Sequence, residues 1–372
     1  MISYQPKVRA HVGRMDPNRS RSCPSLDRMG QRWSRSGHAV VVSVFELLML
    51  TLGCGLMMIS TQFIVKHQSE TSNFRRPVVP IVALWATCDN GQLLMRRGPR
   101  EIVSLDLKTR RIKSIYHQAH QPILSATVTE DARSQLIVFE GSELVFIRNG
   151  DFTVLEPSSN TPTMESVLSP DGRIAILICD RTSAQCWDLS NEDPIEFRFP
   201  LDEPVARLGL NWSGDTLAAS TDSGDLRLYD VKTGVRLRTL SGDRPISADP
   251  IFSHDGKWLV IGRDQSIELY DIRLNKVMWT LATPQSQNIR YLAMSSDGDW
   301  IAASGVEFGI QIIDRSTGTP RFQFSPDSGL DRIAFAPTND RLYSGGAAGS
   351  IRVWSLVTGH EIEQFELNSQ LE

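Results

Sequence analysis

The sequence predicts an all-β fold: seven repeated four-stranded antiparallel units behind one N-terminal transmembrane helix. Three observations carry this reading. Short segments reading VSLD, VFIR, QCWD, RLYD, ELYD, QIID and RVWS end at Asp106, Arg148, Asp188, Asp230, Asp271, Asp314 and Ser355, and successive ends lie 40 to 43 residues apart. A tight turn rich in Ser, Asp, Asn and Gly precedes most of these ends by 15 to 18 residues. Upstream, residues 39–65 are apolar except for Glu46.

Composition narrows the function before any motif does. The 372 residues are 41% hydrophobic and 22% charged, with net charge −4, which is ordinary for a globular chain. The charge is uneven. Residues 1–38 hold eight Lys/Arg against Asp16 and Asp27, so the remainder carries −10. An acidic body argues against general nucleic-acid binding. Five cysteines show neither a CxxC pair nor a Cys/His cluster, so no zinc framework is displayed.

In chain order, residues 1–38 read as a basic disordered tail. Residues 39–66 read as the transmembrane helix. From Leu47 to Val65 no charge interrupts the run, which spans roughly 28 Å at ~1.5 Å per residue. A cleaved signal peptide, giving a secreted body, and a buried core helix are the alternatives. Eight basic residues precede the run and three follow it closely. The N-terminus is therefore expected in the cytoplasm and the body outside; a cytoplasmic-facing body is the reverse insertion. Residues 67–80 form a polar, Pro-punctuated linker, 81–367 the repeats and 368–372 a tail.

Within each unit, the early turn joins two strands: Asp89-Asn90-Gly91, Ser169 to Gly172, Ser213-Gly214-Asp215, Ser253 to Gly256, Ser296-Asp297-Gly298 and Thr338-Asn339-Asp340. Unit two has the weakest version, Thr129-Glu130-Asp131. A second hairpin follows, as in Gly224–Leu240, where Lys232-Thr233-Gly234 turns between alternating strands. An all-β period of 40–45 residues points to blades of a β-propeller. Ile81 stands 25 residues before Asp106, and Ile362 to Leu367 supplies a last strand. Each unit thus has four strands of its own, and the ring is expected to close by packing unit one on unit seven.

The units resemble the WD-repeat family of β-propellers. Trp187-Asp188, Tyr229-Asp230, Tyr270-Asp271, Ile313-Asp314 and Trp354-Ser355 carry the resemblance, with the SPDG-type turns. Only one literal Trp-Asp is present, and no Gly-His stands at the usual place, so the family's His–Asp network is not carried over. The resemblance implies a rigid disc that binds protein or peptide ligands without catalysis.

The loops joining consecutive units are the expected recognition face, with candidate contact residues His117, His120, Asp202, Glu203, Arg244, Gln287, Asn288, Asp327 and Asp331. Arg207, Arg290 and Arg332 stand near the starts of first strands, where they would form a basic ring at the channel mouth able to meet an anion. Solvated strand-end charge is the plainer reading. Cys179 and Cys186 flank a turn centred on Thr182-Ser183, which would set them opposite one another for a disulfide. Two buried thiols are the alternative. The Trp and Tyr at the ends of third strands are read as packing between blades. No GxSxG, HExxH or phosphate-gripping loop appears, and no cofactor or metal site is displayed. The rival class is an extracytoplasmic enzyme or ligand-binding protein using the channel mouth.

Overall fold

The structure, a computed structural model, describes Val12–Gly13 and residues 79–367, apart from 88–90, 117–120, 130, 141–142, 158–162, 164, 284–288, 306–308 and 326–331. The tail, the spanning segment 39–66, nearly all of the linker and Cys88 lie outside the described residues. No helix among the described residues is long and apolar enough to cross a membrane.

Seven antiparallel sheets follow one another, each made of four consecutive strands. Their first strands are Ile81–Ala86, Ile123–Val128, Glu165–Leu168, Val205–Leu210, Ile251–Phe252, Ile289–Met294 and Arg332–Phe335. Their fourth, outer strands are Ile112–Tyr116, Asp151–Leu155, Ile195–Pro200, Arg236–Leu240, Lys276–Ala282, Pro320–Phe324 and Glu361–Glu366. Val12–Gly13 adds two residues antiparallel to the outer edge of blade two.

Both turn types have a local cause. In the early turn, the Ser169 hydroxyl donates to Asp171 at 2.6 Å and accepts from the Ile174 N–H, while Asp171 accepts from the Arg173 N–H. Ser253 with Asp255 and Ser295 with Asp297 repeat this pattern. Ser295, one residue earlier than the sequence suggests, anchors the sixth turn. Unit two is no weaker: the Thr129 hydroxyl takes the serine's place and donates to Asp131 at 2.6 Å. At the second hairpin, the family Asp is a turn-former. Asp106 accepts from the N–H groups of Lys108 and Thr109, Asp230 from Thr233, and Asp314 from Ser316 and Thr317.

Apolar residues on the blade faces gather into seven clusters, one at each junction between neighbouring blades. Trp187, Tyr229, Tyr270 and Trp354 are buried in them, as expected of third-strand ends. Each buried aliphatic side chain there contributes roughly 1.5–3 kcal/mol. The alternation in Leu226–Asp230 suggests one wet face, yet Arg227 is only 6% exposed. A third strand is sandwiched between blades, so both of its faces are covered. Leu226 and Leu228 face blade five, and Tyr229 faces blade three.

The ring closes as the repeat count implies. Ile81 and Leu84 of blade one pack with Tyr343, Ile351, Val353 and Phe365 of blade seven. The Ile81 N–H also donates to the Gly346 carbonyl at 3.0 Å. No strand is exchanged between these two sheets.

Candidate functional site

Antiparallel order puts the N-terminal ends of all first strands on one face, together with the inter-blade loops and the turns between second and third strands. Four first strands start irregularly. Their registers shift between Ile81 and Ala83, Ile123 and Ser125, Val205 and Arg207, and Ile289 and Tyr291. A bulge adds one residue and re-aims its neighbours, and these bulges rim the channel. Arg290 occupies the bulge of blade six and is exposed; Arg207 directly follows that of blade four.

At the mouth, Arg207 lies between two carboxylates, 3.8 Å from Glu165 of blade three and 3.6 Å from Asp249 of blade five. The Arg332 guanidinium of blade seven lies over the Tyr291 ring of blade six, 3.9 Å from its centroid. Arg96 of blade one donates to the Leu124 carbonyl of blade two at 2.9 Å. The sequence reading of a basic ring is thus incomplete: the mouth is a mixed-charge ring. Glu165 and Asp249 were missed because each sits where an inter-blade connection ends, Glu165 as the first residue of its strand and Asp249 just ahead of its own. A spacing signal exists. Leu124, Glu165, Arg207, Asp249, Tyr291 and Arg332 follow one another at 41 or 42 residues.

Enclosure sets the electrostatics. Burial pushes the Glu165 carboxyl up to about 7, the nearby Asp249 charge adds to this, and Arg207 opposes it. The Asp249 side chain is 60% open to the lumen, yet protein surrounds that lumen. This desolvation raises its carboxyl too, against the pull of Arg207 and Arg332. Burial lowers Arg332 despite the help of Tyr291 and Asp249; burial and the Arg332 charge both lower Arg96.

Below the mouth is a cavity of about 340 Å³. Glu165 and Asp249 stand at its upper end, Val167, Leu168, Ile251 and Met294 along its wall. Trp212 and His254 sit in the turns at the other face, their rings 3.7 Å apart. The channel closes tightly between blades four and five. A Cβ on Gly209 would collide with the Pro250 carbonyl oxygen, and Pro250, lacking an N–H, leaves blade five a first strand of two residues. Among the described residues, no three of His, Cys, Asp and Glu gather closely enough to hold a metal ion.

The other sequence candidates fall as follows. Asp202 accepts from Arg236 at 2.7 Å and lies 3.7 Å from Arg227. Glu203 accepts from the same Arg227. Arg244 donates to Gln265 at 2.9 Å. Beneath its loop, Arg263, 2% exposed, donates to the carbonyls of Arg244 and Gly224 and pairs with Glu268. These loop residues therefore hold the face in shape. His117, His120, Gln287, Asn288, Asp327 and Asp331 lie outside the described residues. Cys179 and Cys186 do not pair; both are free and buried. Cys186 stands opposite Ile176, so the true hairpin falls earlier than Thr182-Ser183. The two thiols consequently face opposite sides of blade three, one toward blade two and one toward blade four. Burial pushes the Cys186 thiol far up.

The family model "WD domain, G-beta repeat" matches residues 318–355, which span the last strand of blade six and the first three strands of blade seven. This stretch of the chain is a WD repeat, set in a seven-bladed β-propeller. It is similar to "WD repeat-containing protein slp1" of Schizosaccharomyces pombe, 25% identical over 46% of this propeller chain and 36% of that protein. It is 26% identical to "COMPASS component SWD3" of Saccharomyces cerevisiae over 32% of this chain and 38% of that one. "Target of rapamycin complex subunit wat1" of Schizosaccharomyces pombe is 23% identical over 38% and 45%. The WD-repeat chain thus spans less than half the length of these relatives.

Proposed function

We propose that this propeller is a non-catalytic protein-interaction scaffold, recognising a protein or peptide on the face of its inter-blade loops. The carrying observation is the internal bracing of that face. Arg227 holds Asp202 and Glu203, Arg263 holds the loop at Arg244, and Arg181 holds Asp222. Loops ordered in advance lose little freedom on binding. Two relatives are named as parts of assemblies, a COMPASS component and a complex subunit, which agrees with this reading. Capture from cells with the full chain tagged at its C-terminus is expected to yield a stoichiometric partner that is lost on Arg244→Glu. A chain that purifies alone under mild conditions, with turnover abolished by Glu165→Gln, would instead support the channel enzyme.

We also propose that residues 39–66 tether the propeller to a membrane, with the tail cytoplasmic and the propeller outside. The uncharged run Leu47 to Val65 and the basic upstream flank support this. One observation favours a second reading. Pairing of Val12–Gly13 with blade two requires tail and propeller on the same side of any membrane. Protease shaving of intact cells separates the two. Loss of a C-terminal tag with retention of an N-terminal one supports the tether; full protection of both sinks it.

A further inference from the structure

We propose that the channel mouth binds an oxyanion, a carboxylate or phosphate group, held by Arg332, Arg96 and Arg207. This deepens the scaffold reading by naming what the recognised segment offers at the mouth, and it rests on that reading only for the source of the group.

Arg332 is partly enclosed in the channel, and its guanidinium lies on the Tyr291 ring. A ring face partly compensates a cation but satisfies none of its in-plane N–H groups. Among the described residues, no carboxylate lies within ion-pair distance of it. Arg96 is the second unsatisfied cation. One terminal nitrogen meets the Leu124 carbonyl, while its Nε is buried without a partner. The two charges are near enough that Arg332 depresses Arg96. Two enclosed cations that repel each other, one with an orphaned donor, are stabilised by an anion between them. The third cation, Arg207, is shared between Glu165 and Asp249 at 3.8 and 3.6 Å, too long for tight hydrogen bonds. It can therefore turn toward an incoming oxyanion.

The same arrangement makes binding depend on pH. The charged groups that act on Glu165 across the mouth are Asp249 of blade five and Arg207 of blade four. Glu165 takes up a proton at about 7. Protonation removes one negative charge from the mouth and releases Arg207 from half of its pairing. Oxyanion binding therefore strengthens as pH falls through neutrality.

Calorimetric titration of the full chain tests this, with inorganic phosphate in one arm and N-acetylglutamate in the other. Saturable 1:1 binding is expected in at least one arm, and the arm identifies the oxyanion. Arg332→Gln and Arg96→Gln should each weaken it about tenfold or more, as loss of a charge-assisted bond does. Glu165→Gln should tighten binding at pH 8 and flatten the trend between pH 6 and 8. Lys257→Gln, at a turn on the opposite face, should change nothing. Should Arg96→Gln fail to fold, Arg332→Gln decides, its thermal midpoint serving as the folding check. No saturable binding of either probe at pH 6, or binding indifferent to Arg332→Gln, overturns the proposal. Capture of a partner that ignores Arg332→Gln also overturns it while leaving the scaffold reading intact. Oxyanion binding without any captured partner upholds the site and removes the scaffold.

Discussion

At the scale of single residues, the Asp that ends five of the seven third strands explains why so degenerate a repeat still folds. Its carboxylate accepts N–H groups two or three residues on, and that nucleates the outer hairpin. Asp230→Ala should cost about 0.5–1.5 kcal/mol by removing the bonds from the Thr233 N–H and hydroxyl, read as a lower urea midpoint. Ser355 performs the same task with its hydroxyl, accepting from the N–H groups of Val357 and Thr358. Bonds from Thr233, Thr109 and Ser316 hold the carboxyls of Asp230, Asp106 and Asp314 below the usual range. Burial disfavours ionisation of Asp255, yet bonds from Lys257 and Ser253 bring it down to about 2. The sign follows from proton linkage. These folded-state values lie below the unfolded ones, so the stabilisation is complete above the unfolded Asp range near 3.8 and is lost as pH falls through the folded values. Melting from pH 5 down to pH 2 should therefore show a falling midpoint, with a shallower fall in Asp255→Asn.

At the scale of elements, the outer strands of blades three to seven are each latched to the last turn of the next blade. Phe199 packs on Gly234, Trp279 on Gly318 and Phe322 on Gly359; Arg238 donates to the Ile272 carbonyl. Glu363 pairs with Arg110, carrying the series from blade seven to blade one. Gly234 has φ +69°, so any side chain there meets both backbone strain and the Phe199 ring. Trp279→Ala removes ring packing and the 2.7 Å bond to the Arg315 carbonyl. A loss of about 2–4 kcal/mol is expected, measured by chemical denaturation. The first strands carry the opposite kind of feature, a charge that opposes folding. The folded-state value of Glu165 is raised above 4.5 to about 7, so the native state holds the extra proton in that window. Stability conferred by the protonated form is present at low pH and lost as pH rises through 7. The wild-type melting midpoint should fall between pH 5.5 and 8, and Glu165→Gln should abolish most of that fall.

At the scale of the whole molecule, the ring has no exchanged strand, so side-chain packing, the Ile81–Gly346 backbone bond and the Glu363–Arg110 pair seal blade one to blade seven. Leu84→Ala should cost about 2–4 kcal/mol by opening a cavity at this seam. Limited proteolysis should then cut within blade one before any other blade. A variant that melts lower while all blades become cleavable together would show that the seam is no weaker than the other junctions.

Blade number, hairpin turns and ring closure were legible because each is local or periodic. An Asp bonding its own backbone, or an aromatic recurring every 41 or so residues, needs no distant partner to be recognised. Unit two looked weak only because Thr replaces Ser; the hydroxyl does the work, and the spelling of the turn does not reveal that. The Cys179–Cys186 expectation failed because it placed the hairpin too late. In an alternating strand, that error changes which blade each thiol faces. At the channel mouth, Arg207 and Arg332 were legible as candidates, whereas Arg96 and the carboxylates Glu165 and Asp249 were not. Bracing of the loops by Arg227 and Arg263 was not legible at all. By itself, the sequence determined the repeat, the number of blades and the apolar run ahead of them, since these are written in spacing and hydropathy. Only the tertiary structure decided the mouth, because residues 41 or 42 apart become neighbours when the blades turn about one axis, and enclosure there alters the charge each one carries.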